Sequence, residues 1–347
     1  MNFYKYYDIL TKTMTLPYDF NQELEKLPLE TEVIIFDEKL FNNKLSIFNK
    51  QVSFLPESLT KLKFGYTFNQ SVELLPQSLK ILEFGYSFNQ SVDNLPHSLE
   101  NLSFGGLFNC SVNNLPNNLI YLKLGNNFNQ SVDDLPKSLL HLQIESEKFD
   151  KSLDNLPLNL KSLKIYNEIN ESLDFLPSGL THLAIGGSFN ESVDNLPKNL
   201  TNLTFQSDFN NPIDMLPSTL THLIFWGISE FNQSVDNLPS LTHLIFGDNF
   251  NQSVDNLPSS LTHLKIGNGF NKSVDKLPSN LNSLILGQRF NQSINNLPNS
   301  LSFVRFEFVL FDKIINNLPY NLKIMEIPES KMYLLEKIPF ECEIINI

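Results

Sequence analysis

The sequence predicts a repeat solenoid built mainly of β-structure, with almost no helix. The dipeptide Leu-Pro recurs along most of the 347 residues, and successive prolines are 20 residues apart nine times out of thirteen, never fewer than 19 or more than 22. Fixed-period self-similarity of this length is typical of solenoids. Each copy also contains a short stretch of alternating apolar and polar residues, which predicts a half-buried strand. The remainder of each copy has no helical period.

The first block of each copy predicts the strand. In Leu59-Thr-Lys-Leu-Lys-Phe64, the last residues alternate between apolar and polar. A glycine follows in most copies and lets the chain turn away without a Cβ clash. These glycines are Gly65, Gly85, Gly105, Gly125, Gly186, Gly247, Gly267 and Gly287. We expect a single right-handed superhelix of about 15 turns, with a parallel sheet on its concave side.

The second block, as in Phe250-Asn-Gln-Ser-Val-Asp-Asn-Leu-Pro258, predicts an extended, turn-rich return segment. Its phenylalanine recurs as an internal column, with Ile169 as the one replacement. The column is Phe68, Phe88, Phe108, Phe128, Phe149, Phe189, Phe209, Phe231, Phe250, Phe270, Phe290 and Phe311. The asparagine that follows, replaced by Asp150 and Asp312 in two copies, is expected to satisfy backbone groups of the turns.

A single copy cannot fold alone. It contains about six large apolar side chains, each contributing about 1.5–3 kcal/mol if fully buried. Ordering its backbone costs about 1–2 kcal/mol per residue. The copies must therefore stack, so that each strand pairs with two neighbours and stability becomes a property of the array.

Irregular segments define the predicted domain organisation. Residues 1–27 are expected to form an N-terminal cap, followed by repeats over residues 28–319 and degenerate capping copies over residues 320–347. A short helix is expected over residues 2–14, because Phe3, Tyr7, Leu10 and Met14 are at helical spacing. Val33–Phe36 is predicted to be the first strand, followed by an insertion at residues 37–47. Shorter insertions follow later strands, at Glu145–Lys148, Trp226–Glu230 and Glu307–Leu310. Insertions at one edge of a repeat array are typical of a binding rim, although neutral loop drift explains them equally well.

One outward column is rich in histidine. The position before the second leucine of each strand holds five of the six histidines, and His222, His243 and His263 are expected to lie on consecutive strands. A metal site or a pH-responsive surface is one interpretation. The alternative is a habit of the repeat, and it is favoured because no carboxylate or thiol stands in the adjacent outward column nearby. No metal and no cofactor are predicted.

The next outward column changes character along the chain. Its first half is polar, whereas its second half includes Ile224, Ile245 and Ile285, near the only tryptophan, Trp226, which is expected on an inserted loop. Exposed apolar residues beside an aromatic side chain predict a protein-binding patch. A sheet face covered by side-chain stems is the alternative. The predicted binding residues are His222, Ile224, Trp226, His243, Ile245, His263, Phe303 and Arg305.

An acidic row precedes the Leu-Pro dipeptides. It consists of Asp93, Asp133, Asp154, Asp174, Asp194, Asp214, Asp236, Asp255 and Asp275. Carboxylates suit calcium, but the row lacks a glycine-rich ligand loop, so turn capping is the favoured interpretation. The sequence contains no phosphate loop, no Cys-x-x-Cys motif and no Ser-His-Asp context beyond what repetition produces, and we therefore predict no catalytic residues.

The copies from Phe48 to about Pro319 resemble the FNIP-repeat family, a short relative of the leucine-rich repeats. Phe209-Asn-Asn-Pro-Ile213 carries the family motif, and Ser-Val replaces Pro-Ile in the other copies. Leu-Pro-x-Ser-Leu-x-x-Leu is also similar to the repeats of bacterial leucine-rich effectors. The resemblance implies a leucine-rich-repeat-like scaffold that binds proteins. Some FNIP proteins also carry an F-box and act as substrate receptors of ubiquitin ligases, a domain for which residues 1–27 leave too little room.

Composition limits the partners. A net charge of −13 and a pI near 4.9 argue against nucleic acid or an anionic membrane as the main partner. Cys110 and Cys342 are about eleven turns apart, so no intrachain disulfide is predicted. The N-terminus has no secretory apolar core, and the Asn-x-Ser sequons are explained by the asparagine column. The chain is therefore expected inside the cell, in the cytoplasm, or in the host cytoplasm if it is viral.

The preferred function is a non-catalytic protein-interaction scaffold that binds through the concave sheet and the loops after its strands. One alternative is a structural rod that assembles by self-association. Another is the substrate-recognition subunit of a ubiquitin ligase that acts without its own F-box. An enzyme or a sugar-binding protein would need a deep pocket, which regular turns do not make.

Overall fold

The fold is given by a computed structural model, which describes residues 3–37, 44–166, 172–206, 208–307 and 310–347. The chain divides into two compact units. The N-terminal unit comprises Met1–Ile169 and Phe175–Leu180, and the C-terminal unit comprises Asn170–Asp174 and Thr181–Ile347. Both are β-solenoids whose turns each contribute one short strand to a sheet.

The N-terminal unit begins with a 3-10 helix at Phe3–Tyr6. Its strands are β1 (Tyr7–Asp8), β2 (Thr13–Leu16), β3 (Val33–Phe36), β4 (Lys61–Lys63), β5 (Ile81–Glu83), β6 (Asn101–Ser103), β7 (Tyr121–Leu124), β8 (His141–Ile144) and β9 (Ser162–Ile165). β1 pairs antiparallel with β2, and every later strand pairs in parallel with the strand before it. The register joins equivalent repeat positions, as in the alignment of Leu62 with Leu82.

The C-terminal unit repeats this arrangement. Its strands are β10 (His182–Ile185), β11 (Asn202–Gln206), β12 (His222–Trp226), β13 (His243–Ile245), β14 (His263–Ile266), β15 (Ser283–Leu286), β16 (Phe303–Phe306), β17 (Ile324–Ile327) and β18 (Glu343–Asn346). All of them pair in parallel. A 3-10 helix at Glu329–Leu334 precedes the last strand.

The core of each unit is a stack of apolar columns. The predicted phenylalanine column is buried at every described position. Successive rings lie nearly parallel, as for Phe250 and Phe270, whose centroids are 6.2 Å apart. A second ring packs within the same turn, as for Phe246, whose centroid is 3.7 Å from that of Phe250. Each ring therefore contacts both its own turn and the adjacent turns, and the core is continuous through each unit.

The glycine after the strand is required by the close approach of neighbouring turns. A Cβ built on Gly105 would lie 2.2 Å from the carbonyl oxygen of Gly85, and one built on Gly85 would lie 2.1 Å from that of Gly65. These distances are far below any real Cβ contact. The turns can approach this closely only because neither residue carries a side chain.

The predicted asparagine column is a hydrogen-bonded ladder. At the described positions of this column, the side-chain oxygen of asparagine accepts a hydrogen bond from the backbone N–H of its counterpart in the next turn. The Oδ1 atom of Asn232, for example, accepts from the N–H of Asn251 at 2.8 Å and also from Gln252. Asp150 and Asp312 donate their backbone N–H groups to the ladder in the same way.

Three predictions about individual elements are wrong. The helix over residues 2–14 is limited to Phe3–Tyr6, and Val33–Phe36 is preceded by two strands. A helix over residues 2–14 would have buried Leu10 in the core, yet this residue is 91% exposed. Met14 is buried and aligns with Ile34 of the neighbouring turn. Pairing of Thr13–Leu16 with Val33–Phe36 outweighs the weak helical period, because it adds this segment to the sheet and buries Met14 and Leu16 in the core.

Trp226 was expected on a loop, and this third prediction is also wrong. It is the last residue of β12 and aligns with Gln206 of β11. The loop begins at Gly227, which has a φ of +62°. Ile169, residues 38–43 and residues 308–309, which belong to predicted columns and insertions, lie outside the described residues.

Within the described ranges, the chain has no helix of the length and hydropathy needed to cross a membrane. Cys110 and Cys342 are both free thiols.

Candidate protein-binding face

The strands of the C-terminal unit present alternate side chains on their outer surface. In β12, Leu223 and Phe225 are buried, while the side chains between and after them point outward. The outward residues of this strand are His222, Ile224 and Trp226, and those of β13 are His243 and Ile245. The outward residues of β10 to β15 together are called the binding face below.

The histidine column, formed by His222, His243 and His263, is a stack of parallel rings. The ring centroids of His222 and His243 are 4.3 Å apart, and those of His243 and His263 are 4.2 Å apart. This spacing follows from the parallel register, which aligns the three residues on consecutive strands. The structure therefore brings the predicted histidines together.

The threonine before each of these histidines holds its ring in place. Thr242 Oγ1 lies within hydrogen-bond distance of His243 Nδ1, at 3.0 Å, and 3.2 Å from the carbonyl oxygen of Thr221. The same geometry occurs at His222 and His263. One nitrogen of each ring is therefore engaged by the preceding threonine, and Nε2 is the nitrogen directed away from that contact.

Burial and stacking favour the neutral imidazoles. Burial lowers the pKa of His222 from its ordinary value, and the neighbouring charges of His182 and His263 would lower it further. The pKa of His243 is lowered by burial and then by His222 and His263. Two adjacent positive rings at this distance would repel each other.

The second outward column of the face is mostly aliphatic. Ile224 aligns with Ile245, and Ile245 aligns with Lys265. Trp226 follows Ile224 by two residues on β12 and is 61% exposed. An exposed indole beside aliphatic side chains provides a large rigid surface for a partner.

Phe303 and Arg305 lie on β16, at the edge of this region. Phe303 aligns with Ser283, and Arg305 aligns with Ile285. Arg305 forms ion pairs with Glu307 at 3.4 Å and with Glu326 at 3.3 Å. Its charge is thus compensated within the protein, and it is less available to a partner than the sequence suggested.

The acidic row serves the structure of the turns. The backbone N–H of Asp93 donates to Ser91 Oγ at 3.3 Å, and its carboxylate accepts from Asn114 of the next turn at 3.0 Å. The hydrogen bond from Asn114, followed by that from Ser91, holds the pKa of the Asp93 carboxyl below its ordinary value. Other copies show the same serine cap and the same bond to the next turn, with Lys276 replacing asparagine at Asp255. Among the described residues, no group of three or more His, Cys, Asp or Glu is placed to hold a metal ion.

Lys265 also belongs to this face, although it is not among the residues predicted to bind a partner. It belongs to the same outward column as Lys63 and Lys123, which form ion pairs with Glu83 and Glu145 respectively. Lys265 is flanked instead by Ile245 and Ile285. The sequence already indicated that Lys265 has no acidic neighbour in its column, because the residues at this position on the adjacent strands are both isoleucine.

Comparison with known proteins identifies the repeat. The family model described as FNIP Repeat matches residues 68–107, 109–147, 189–226, 231–269 and 270–308. No curated protein matches the chain.

Several solved structures are similar to the chain. One is CroV588, described as a novel circular LRR protein structure, with 28% identity, a TM-score of 0.43, and coverage of 96% of this chain and 72% of that one. Another is YopM from Yersinia enterocolitica, with 20% identity, a TM-score of 0.41, and coverage of 99% and 88%. A leucine-rich repeat protein from Bacteroides ovatus has 15% identity, a TM-score of 0.22, and coverage of 91% and 84%.

Proposed function

Because the chain belongs to the FNIP repeat family, whose model matches more than half of it, we propose that it is a non-catalytic scaffold for protein–protein interaction. The partner would bind the outer sheet surface of the C-terminal unit and the loops after its strands. The contact residues would be His222, Ile224, Trp226, His243, Ile245 and His263, with Phe303 and Arg305 at the edge. Repeat arrays provide extended surfaces of this kind.

The observation that supports this surface most strongly is the exposure of Trp226 beside an aliphatic column. Tryptophan is enriched among the residues that dominate binding energy at interfaces. Ile224 lies two residues before it on the same strand, and Ile245 aligns with Ile224 on the next. An apolar centre surrounded by imidazole and hydroxyl groups has the composition of an interface core with a polar rim.

The test is affinity capture from the native cell with the wild-type chain and Trp226→Ala. Removing a central tryptophan typically costs about 2 kcal/mol or more of binding free energy, or about thirtyfold in Kd. We therefore expect the variant to retain far less of the partner. Trp226 is exposed, so thermal unfolding of the variant should match that of the wild type.

Phe340→Ala is the matched control, because Phe340 is also aromatic, belongs to the same unit and is 92% exposed, but lies outside the sheet. This variant should capture the partner as well as the wild type does. Equal capture by Trp226→Ala would show that the partner does not use this surface. Equal loss in both variants would indicate a non-specific apolar contact.

A further inference from the structure

A shallow depression lies on the binding face, beside the histidine column. Its volume is about 210 Å³. Its lining is mostly apolar and includes Ile245 and Ile285, together with parts of His243, His263, Lys265 and Ser283. An apolar depression is thus bordered by one cation, two imidazoles and one hydroxyl-bearing residue.

Lys265 supplies a positive charge at this depression. Among the described residues, no carboxylate forms an ion pair with it, whereas Lys123, in the same column of the N-terminal unit, is 2.8 Å from Glu145. The neighbours of Lys265 in the column, Ile245 and Ile285, carry no charge. An ammonium group in this setting interacts more favourably with an external carboxylate than it would if it were already paired.

The binding face as a whole contains no carboxylate. Its remaining outward positions hold small or uncharged residues, such as Ala184, Asn202, Thr204 and Gln206. The protein carries a net charge of −13. The acidic residues therefore lie elsewhere on the protein. A basic partner segment would find no carboxylate on this face to bind.

The histidine column would make the face more favourable to acidic groups at lower pH. The titratable groups that face it are His182 on β10 and Lys265 on β14, and β11, β13 and β15 contribute no other charged outward residue. Both nitrogens of a protonated imidazole are donors, so a proton taken up by any of these histidines adds one hydrogen-bond donor to the face. A carboxylate placed beside these rings would favour that proton.

We propose that the depression binds an acidic side chain, Asp or Glu, from a segment of a partner protein. An apolar side chain next to this acidic residue in the partner would contact Ile245 and Ile285. This inference rests on the proposed function and specifies the chemistry of the partner. Lys265 would form the ion pair at neutral pH, and the imidazoles would add hydrogen-bond donors as the pH falls. The partner would thus be a protein segment that alternates acidic and apolar residues.

The experiment is selection of a random displayed peptide library on the full-length chain at about pH 7.5 and about pH 5.5, on either side of the ordinary histidine pKa. We expect enrichment of Asp or Glu beside an apolar residue, more strongly at the lower pH. Selected peptides are then measured by calorimetry with Lys265→Gln. Loss of one charge-assisted bond should weaken binding roughly tenfold.

Lys164→Gln is the matched control, because Lys164 is an exposed lysine in the same column on β9 and aligns with Gln143. Its replacement should leave the affinity unchanged. Enrichment of basic or purely apolar peptides, the absence of any acidic motif, or equal binding by Lys265→Gln would each overturn the inference. If Trp226→Ala still lost the native partner in any of those cases, the proposed function would stand without this acidic subsite.

Discussion

The stacked imidazoles illustrate how one side chain depends on its place in the array. His141 occupies the same repeat position as His243, but its aligned neighbours in the N-terminal unit are Tyr121 and Ser162, and it has no imidazole beside it. His243 lies between two parallel rings at about 4 Å. The chemistry of a repeated residue therefore depends on which residues occupy the adjacent turns.

The lowered pKa values of His222 and His243 predict a loss of stability in acid. A histidine whose pKa is lower in the folded state binds protons more readily when unfolded. The free energy of unfolding should be unaffected above the unfolded pKa of about 6.5 and should fall as the pH drops through and below it. NMR titration of the imidazole resonances gives the two pKa values directly.

The double variant His222→Asn/His243→Asn should remove this part of the pH dependence of unfolding by urea. Replacement of His97, which does not belong to the column, provides the comparison. If both proteins kept the slope of the wild type between about pH 7 and about pH 5, the column would not be its source.

At the scale of elements, hydrogen bonds between turns join the return segments as the sheet joins the strands. Within the described return segments, from the phenylalanine to the Leu-Pro proline, no backbone ladder runs from turn to turn. The asparagine side chains supply acceptors there instead. Serine adds a second set, as in the bond from Ser260 Oγ to the carbonyl oxygen of Leu241 at 2.7 Å. This pairing explains why a turn rich in polar residues can lie directly beside a phenylalanine core.

Asn232 allows the contribution of the ladder to be measured. In Asn232→Ala, the N–H of Asn251 loses its acceptor, and we expect the free energy of unfolding to fall by about 1–3 kcal/mol. Asn232→Asp keeps an acceptor oxygen and should change it by no more than about 0.5 kcal/mol. Urea unfolding gives the total effect, and hydrogen exchange at the Asn251 amide gives the local one.

Equal stability of the two variants would mean that water replaces the lost acceptor and that the ladder contributes little. A large loss in the aspartate variant alone would indicate charge repulsion within the column as the controlling effect.

At the scale of the whole molecule, the net charge of −13 repels the acidic segments that the binding face is proposed to bind. The Debye length is about 30 Å at 0.01 M salt and about 8 Å at 0.15 M. At low salt, an approaching acidic segment responds to the charge of the entire protein, whereas at physiological salt it responds mainly to Lys265 and its surroundings.

The association rate of an acidic partner segment should therefore rise with salt over this range, because the long-range repulsion is screened. The dissociation rate should rise too, because the contact at Lys265 is weakened. Stopped-flow measurements of both rates across the salt series test this pair of expectations. A fall of the association rate with added salt would show that the local positive charge already dominates at long range.

The repeat alone determines most of the fold. Its period predicts the stacked turns, and the alternation in each strand predicts which residues are buried and which point outward. The glycine and phenylalanine columns were predicted for the same reason, since an inward-facing position meets its own counterpart in each adjacent turn. The sequence failed at Met14 and Leu10, where no regular copy exists and a helical period competed with strand pairing.

Only the tertiary structure decided how the outward residues combine. The sequence placed His222, His243 and His263 in one column, but the ring stacking and the contacts with the threonines required coordinates. It also could not show that Glu307 and Glu326 compensate the charge of Arg305. Buried positions are constrained by the period of the chain, whereas an exposed side chain is determined by neighbours that are distant in sequence and adjacent only after the turns stack.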